Sequence, residues 1–337
     1  MNNPKTLLDL PPSTNEIWEG RRVKAPFWIT GEAGGPYRPI LEIWAEVRSD
    51  LIVALQLVRQ LPPPQASLRF LWQAMIAPHA GPARRPSCLR VAEKSLADLM
   101  RQKLAGAGIT VELVERSPLI DRIVAEMEKS IGGRGSRSMP ALTTLRGVTP
   151  ERAGALYQAA AHCYQQAPWR VVSDEIPLEI TCSHFARSPV YLTVMGNAGV
   201  EFGLLLIFSR KELQRLRATA DEFELAQAPM RCVTLGFADP TYLAIVDHDA
   251  IERHHWPVAG PRAFPHVFQI MPGRRPMIQP PTLAQVDLLE ACLLAVPQVV
   301  TGHKTGFRAG RPFVENVPVE TFHGTWQLQM SWPPRGW

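Results

Sequence analysis

The sequence predicts two folded parts, an N-terminal α/β domain followed by a C-terminal mixed α+β domain. Three observations lead to this prediction. The chain has 337 residues, which is long for a single domain. Apolar residues with strand and helix periodicity alternate along its first part. A run of glycine, arginine and serine at Gly132–Ser138 then interrupts these patterns and offers no residue that could anchor a core.

The predicted domains are therefore residues 1–131 and 149–337, joined by a flexible linker at 132–148. A phosphate-binding loop is the alternative interpretation of the glycine-rich run. It is disfavoured because the glycines do not lie between a strand and the start of a helix, where helix amides would meet a phosphate.

The first domain is predicted to begin with an arm at 1–36, rich in proline, glycine and tryptophan, that packs onto the elements after it. Ile40–Val47 alternates apolar residues on one face, which is typical of a strand, and Leu51–Val58 follows as its antiparallel partner. Apolar spacing in Ser67–Ile76 indicates a helix. A strand, a helix, a strand and a last helix are then predicted at Ser87–Val91, Leu96–Leu104, Ile109–Val114 and from Pro118 onward.

The second domain is predicted to begin with an alanine-rich helix at Pro150–Gln166, with later helices starting near Ser209 and at the capping residue Thr282. The glycines between Val194 and Gly203 lead into another strand, so they indicate a hairpin turn rather than a nucleotide-binding loop. The predicted strands are Ile176–Cys182, Val190–Met195, Phe202–Phe208, Cys232–Phe237, Val267–Ile270, Phe313–Val317 and Thr325–Met330.

Composition favours a protein of the cytoplasm. Hydrophobic residues make up 46% of the chain and charged residues 20%, which is ordinary for a globular protein. The five cysteines are widely spaced and form no Cys-x-x-Cys pair, which argues against a disulfide framework and a structural zinc site. The N-terminus lacks the apolar segment of a secretory signal, and the strongly apolar runs are short for a bilayer. We therefore expect a cytoplasmic location and no membrane partner.

The order hairpin, helix, strand, helix, strand, helix resembles part of a ribonuclease-H-like core, as in integrases and transposases. The resemblance implies carboxylates on the first strand, after a later strand and on a late helix, which hold two metal ions near one phosphate. Because glutamate stands where that superfamily usually has aspartate, a degenerate, non-catalytic version is favoured. The matching residues are Glu42 or Glu46 on the first predicted strand, Glu93 after the next strand, and Glu126 or Glu128 on the last helix.

The expected cofactors depend on this interpretation. Mg²⁺ or Mn²⁺ is expected only if the carboxylates form an active site, and otherwise no cofactor is predicted. A separate group of metal-ligand residues lies at His248, Glu252 and His255, which would share one side of a helix. An exposed polar helix produces the same spacing, and this simpler interpretation is favoured because no stronger metal signature is present.

The charge balance permits nucleic acid as a partner without requiring it. The net charge is +5, from 36 basic and 31 acidic side chains, and so small a surplus can be spread over the whole surface. The arginines are dispersed, so they form no recognised nucleic-acid module. The candidate contacts are the loop arginines Arg84, Arg85, Arg134, Arg137, Arg274 and Arg275.

Short motifs between residues 36 and 300 include Arg38-Pro39, Arg84-Arg85-Pro86, Ala167-Pro168-Trp169 and Phe202-Gly203-Leu204. In these motifs the chain resembles an uncharacterised bacterial two-domain family of unknown function. The resemblance implies a bacterial protein and assigns no catalytic residue.

Two functions are compatible with the sequence. Because no complete catalytic group is present, we favour a non-enzymatic binding or adaptor protein with a protein partner. The alternative is a nucleic-acid-binding or metal-dependent nucleic-acid-processing protein on a degenerate ribonuclease-H-like fold.

Overall fold

The computed structural model describes residues 7–31, 34–132, 139–218, 231–272 and 277–337. The chain forms two compact units, Met1–Arg137 and Ser138–Trp337. Most of the glycine-rich run at Gly132–Ser138, which prompted the linker prediction, lies outside the described residues. The remainder of the expected linker packs onto the second unit, because Leu142 is buried there and its amide donates to Asp247 Oδ2 at 2.7 Å.

The first unit contains one five-stranded mixed sheet in the order β3-β2-β1-β4-β5. β1 pairs antiparallel with β2, and β2 with β3, whereas β1, β4 and β5 run parallel. This is the arrangement expected of a ribonuclease-H-like core, and it confirms the α/β class predicted for this part. The strands are β1 Ile17–Lys24, β2 Ile40–Glu46, β3 Leu51–Val58, β4 Cys88–Val91 and β5 Thr110–Leu113.

In the described part of the first unit, three α-helices cover the two faces of this sheet: α1 Pro64–Ile76, α2 Lys94–Lys103 and α3 Pro118–Gly132. α1 and α2 share one apolar cluster with Trp18 and Trp44. α3 packs in a separate cluster with Ile43 and its neighbours two residues away on β2. Since successive side chains of a strand point to opposite faces, α3 lies on the face opposite α1 and α2.

The prediction of an arm at 1–36 was wrong at its centre, because Ile17–Lys24 forms the middle strand of the sheet. Its sequence, with a glycine and several charges, lacks the alternation that identifies strands. The strand is specified by its neighbours instead. Trp18 is fully buried, and a Cβ at Gly20 would lie 2.2 Å from Cζ3 of Trp44. Consequently Ile40–Val47, predicted as the first strand, corresponds to the second strand, β2.

The second unit contains an eight-stranded antiparallel sheet in the order β11-β10-β9-β8-β7-β6-β13-β12. β7 and β8 form the hairpin predicted from the glycines between Val194 and Gly203. The short strand β11 is the one that periodicity missed. The strands are β6 Leu178–Cys182, β7 Ala186–Met195, β8 Phe202–Ile207, β9 Cys232–Ala238, β10 Phe264–Met271, β11 Met277–Gln279, β12 Phe313–Thr321 and β13 Gly324–Trp332.

Among the described residues, five α-helices accompany this sheet: α4 Pro150–Gln166, α5 Arg210–Ala218, α6 Ile245–His254, α7 Leu283–Gly302 and α8 Lys304–Ala309. α7 begins at a capping box in which Thr282 and Gln285 bond each other's backbone amides. Its apolar residues form the centre of the largest core cluster. Of the described helices, α7 alone is long and apolar enough to cross a membrane by length and composition, and 78% of that window is buried in the unit.

A buried ion pair joins α4 to α7. Arg152 Nε donates to Asp287 Oδ1 at 2.9 Å, and its Nη2 contacts both carboxylate oxygens at 2.5 Å. His323, in the turn between β12 and β13, places Nε2 3.5 Å from the same carboxylate. Both partners of the pair are about nine-tenths buried, so water can replace either partner only poorly.

The close approach of β1 to Trp44 generates the first prediction. Gly20→Ala is expected to lower the free energy of unfolding of the first unit by about 2–3 kcal/mol, because a Cβ overlaps a buried ring that has no room to move. Urea denaturation followed by tryptophan fluorescence measures this. Gly302→Ala is the control, since its Cβ meets open space, and an equal loss in both variants would contradict the packing argument.

The ion pair between α4 and α7 generates the second prediction. Arg152→Ala is expected to cost about 3–5 kcal/mol of unfolding free energy, because it leaves the Asp287 carboxylate buried without its counter-charge. The double change Arg152→Met with Asp287→Leu should restore most of that loss. Glu315→Gln, which disrupts a more exposed contact with His303, should cost less than about 1 kcal/mol. Thermal unfolding of the full chain distinguishes these values, and a double variant no better than Arg152→Ala would refute the explanation.

Candidate functional site

The four predicted carboxylates, Glu42, Glu46, Glu93 and Glu128, do not all meet. Glu46 closes the turn between β2 and β3, where its oxygens accept from the amides of Arg48 at 3.0 Å and Ser49 at 2.5 Å. Glu128 is exposed on α3, as is Glu126, and α3 lies on the other face of the sheet from α2. These positions therefore do not complete a site with Glu93.

Glu93 instead holds an arginine from β1. Arg22 Nε donates to Glu93 Oε1 at 2.7 Å, and its Nη2 contacts Glu93 Oε2, so the pair is bidentate. Arg22 Nη1 also donates to the carbonyl oxygen of Pro62, before α1. The Arg22 side chain is only 3% exposed, so this guanidinium is bound on several sides inside the unit.

Glu42 is the second carboxylate beside Arg22. It lies opposite Arg22 in the pairing of β1 with β2, and it is 1% exposed. Gln56 Nε2 donates to Glu42 Oε2 at 2.7 Å, whereas Glu42 Oε1 is buried without a hydrogen-bond partner in the structure. Burial lowers the pKa of Arg22, and the charge of Glu42 acts in the opposite direction. The structure thus brings two of the predicted carboxylates to one guanidinium.

β1 supplies a carboxylate of its own that sequence reasoning missed. Glu19 is buried and turned toward α3, where its Oε2 accepts from the amide of Leu119 at 3.2 Å. Burial raises its pKa, and the hydrogen bond from Leu119 opposes that shift. Since Glu19 and Arg22 stand three residues apart on a strand, they point to opposite faces. The residues therefore do not fit a two-metal centre, because a guanidinium, and not a carboxylate, faces Glu93 from the first strand.

The predicted metal group on α6 forms in part. His248, Asp249 and Glu252 each offer a ligand atom, and these atoms lie within 4.8 Å of one another. His248 Nδ1 is 3.8 Å from Glu252 Oε1. His255 is not in this group, since it ends the helix in a left-handed conformation with φ of 54°. Asp249 takes the third place because it stands three residues before Glu252, a spacing that brings side chains together on a helix.

The predicted nucleic-acid arginines that the structure describes make contacts within the first unit. Arg84 Nε donates to both oxygens of Glu16, at 2.8 and 2.9 Å, and its guanidinium lies over the Trp18 ring. Arg85 Nη1 donates to the carbonyl oxygen of Ala107 at 2.8 Å. The other predicted contacts, Arg134, Arg137, Arg274 and Arg275, lie outside the described residues.

A cavity of about 570 Å³ lies in the second unit, beside strands β8, β9 and β10. His266 on β10 stands opposite Gly236 on β9, and its ring covers that glycine so closely that a Cβ there would lie 2.7 Å from Nε2. Burial lowers the pKa of His266, and the backbone of Phe264 acts the other way. The aromatic side chains that line the cavity are Tyr164, Phe202, Phe237, Tyr242 and Phe268.

Comparison with known proteins divides the chain in the same way. Residues 5–128 match the family model DUF6930, and residues 154–314 match DUF7309, each described as a domain of unknown function. These two matches agree with the predicted two-domain organisation. No curated protein matches the chain.

One similar solved structure is a chain of the simian T-cell lymphotropic virus intasome in complex with PP2A regulatory subunit B56 gamma. The similarity covers 60% of this chain and 77% of that one, at 13% identity and a TM-score of 0.23. A similarity at this level supports no inference about fold or function.

The position of Arg22 generates the third prediction. Arg22→Ala is expected to destabilise the first unit by about 3–5 kcal/mol, because Glu42 and Glu93 lose the cation between them. Millimolar Mn²⁺ should then raise the unfolding temperature of this variant by about 4 °C, near 1 kcal/mol for a unit of this size, and leave the native chain unchanged. Arg84→Ala is the control, since it removes an arginine from a different carboxylate. Equal Mn²⁺ stabilisation of the native chain would contradict this account.

Proposed function

We propose that this protein is a non-enzymatic binding protein whose first unit uses a ribonuclease-H-like fold as a scaffold. The observation that carries the proposal is the guanidinium of Arg22 bound to Glu93 with Glu42 beside it. Two-metal catalysis needs carboxylates that are open to cations on the side of the substrate. In this unit the guanidinium of Arg22 already occupies the position beside Glu93 that a metal ion would need.

The energetics of the buried pair support this proposal. A metal ion that competed for Glu93 would have to displace Arg22, whose side chain is almost completely enclosed. Breaking a buried pair by removing one partner typically costs about 3–5 kcal/mol, and this pair lies toward the lower end of that range because the Glu93 side chain is 34% exposed. A metal ion that bound the native chain at Glu93 would have to supply that energy before it could stabilise the protein.

The surface of the first unit favours a protein partner over a nucleic acid. Several of its arginines lie beside a carboxylate, which reduces their attraction for phosphate. The exposed apolar residues Leu51 and Leu57, on edge strand β3, and Leu61, just after it, offer apolar contacts instead. The arginine pairs are Arg21–Asp121, Arg90–Glu112, Arg101–Asp98 and Arg122–Asp50.

A second candidate is nucleic-acid binding, and the observation that favours it is the strand order β3-β2-β1-β4-β5 with three antiparallel and two parallel strands. Integrases and transposases use this order around a nucleic-acid substrate. The two candidates differ in salt dependence, because binding through phosphate contacts weakens steeply as salt rises.

The fourth prediction tests both candidates. The native chain and Glu93→Ala are incubated with Mg²⁺ or Mn²⁺ and labelled single- and double-stranded DNA and RNA, and we expect no cleavage by either. Cleavage by the native chain that Glu93→Ala abolishes would overturn the proposal, whereas cleavage equal in both would indicate a contaminant. A gel-shift series from low to physiological salt completes the test, and salt-sensitive binding would favour the second candidate.

A further inference from the structure

The cavity in the second unit has the size and lining of a small-molecule site. Its volume of about 570 Å³ lies within the range of about 300–1,000 Å³ typical of ligand pockets. Aromatic side chains make up much of its wall, and a few polar groups are placed among them. That combination is the one by which proteins fix a mainly flat, apolar ligand in a single orientation.

Stacked rings form one part of this wall. The ring of His266 stacks with that of Phe268, with centroids 5.8 Å apart and planes at 12°. The Tyr242 ring also lies near His266, with its centroid 6.2 Å away, and Tyr242, which lines the cavity, is 57% exposed. Because every nucleobase has a flat π face, rows of aromatic rings accept bases with little dependence on sequence. The wall therefore favours a planar heteroaromatic ring.

Polar groups beside this wall can bond the rest of such a ligand. Thr234 lines the cavity near Phe268, its pairing partner in the sheet. Asp239 uses Oδ1 to accept from the amide of Thr241 at 2.9 Å and from its hydroxyl. The second carboxylate oxygen, Oδ2, takes no part in these bonds and can accept from a ligand hydroxyl.

The charged side chains at the mouth select the ligand further. Arg262 lines the cavity and is exposed, and it makes no ion pair among the described residues. A guanidinium in that position suits phosphate, which it can bind in bidentate fashion. The exposed Glu201 on the lining contributes the opposite charge, so the mouth does not attract anions in general.

We propose that this cavity binds a mononucleotide, with the base against the aromatic wall, a ribose hydroxyl at Asp239 and the phosphate at Arg262. The volume leaves space for all three parts, whereas a lone aromatic ring would leave Arg262 and Asp239 unused. This inference goes beyond the proposed function. It concerns the second unit, and its failure would leave the argument from Arg22 and Glu93 unaffected.

The fifth prediction tests the site on the full chain. Titration calorimetry with AMP, GMP, CMP and UMP should detect binding of at least one, and the matching nucleoside should bind about tenfold more weakly because it lacks the charge-assisted contact. Tyr242→Ala should weaken the nucleotide and the nucleoside alike, by about tenfold, through lost stacking. Arg262→Ala should weaken the nucleotide by about tenfold and leave the nucleoside unchanged.

Matched controls make these outcomes decisive. Phe322→Ala removes another exposed aromatic ring of the second unit, and Arg311→Ala another exposed arginine, and neither residue lines the cavity. Both controls should bind like the native chain. Both cavity variants replace exposed side chains, so thermal unfolding should show that they fold.

Three results would overturn the proposal. The first is that none of the four mononucleotides binds the native chain. The second is that Tyr242→Ala and Arg262→Ala bind like the controls. The third is that single-stranded oligonucleotides of eight residues bind more than tenfold tighter than any mononucleotide, which would identify the occupant as one nucleotide of a longer strand.

Discussion

One buried guanidinium connects the central elements of the first unit. Arg22 extends from the middle strand, bonds Glu93 at the start of α2, lies opposite Glu42 on β2 and reaches the carbonyl of Pro62 before α1. A charge so enclosed must keep its partners, because an unpaired buried ion is far more costly than an unpaired surface ion. The positions of these four elements are thereby coupled to one another.

The same constraint fixes where the predicted carboxylates of the first unit lie. The carboxylates that could hold metal ions exist, yet one pair is neutralised by Arg22 and the others close a turn, contact the start of α3 or face solvent. In the second unit a buried ion pair also connects separate elements, since Arg152 and Asp287 join α4 to α7. The cavity near His266 differs, because its wall is aromatic and its polar groups remain accessible.

Periodicity predicted most elements of the fold to within a few residues. Hairpin β2–β3, helices α1 and α4 and the strands of the second sheet other than β11 follow apolar patterns that local sequence shows. β1 was missed because Gly20 and its charged neighbours break the apolar alternation that identifies strands. Its place in the sheet is fixed instead by the contact of Gly20 with Trp44 and by pairing with β2 and β4. The candidate site was predicted only in part for the same reason. Glu93 was identified, whereas its partner Arg22 lay within the segment interpreted as an arm.

The sequence by itself determined the division into two domains, the mixed α/β class and the absence of a complete local catalytic motif. These properties depend on composition and short-range spacing, which are readable along the chain. Only the tertiary structure decided that Arg22 meets Glu93, 71 residues further on, and that His266 and Tyr242 share a cavity. Such contacts arise from strand order and sheet pairing, because they join residues that are distant in sequence, and no local pattern encodes that order.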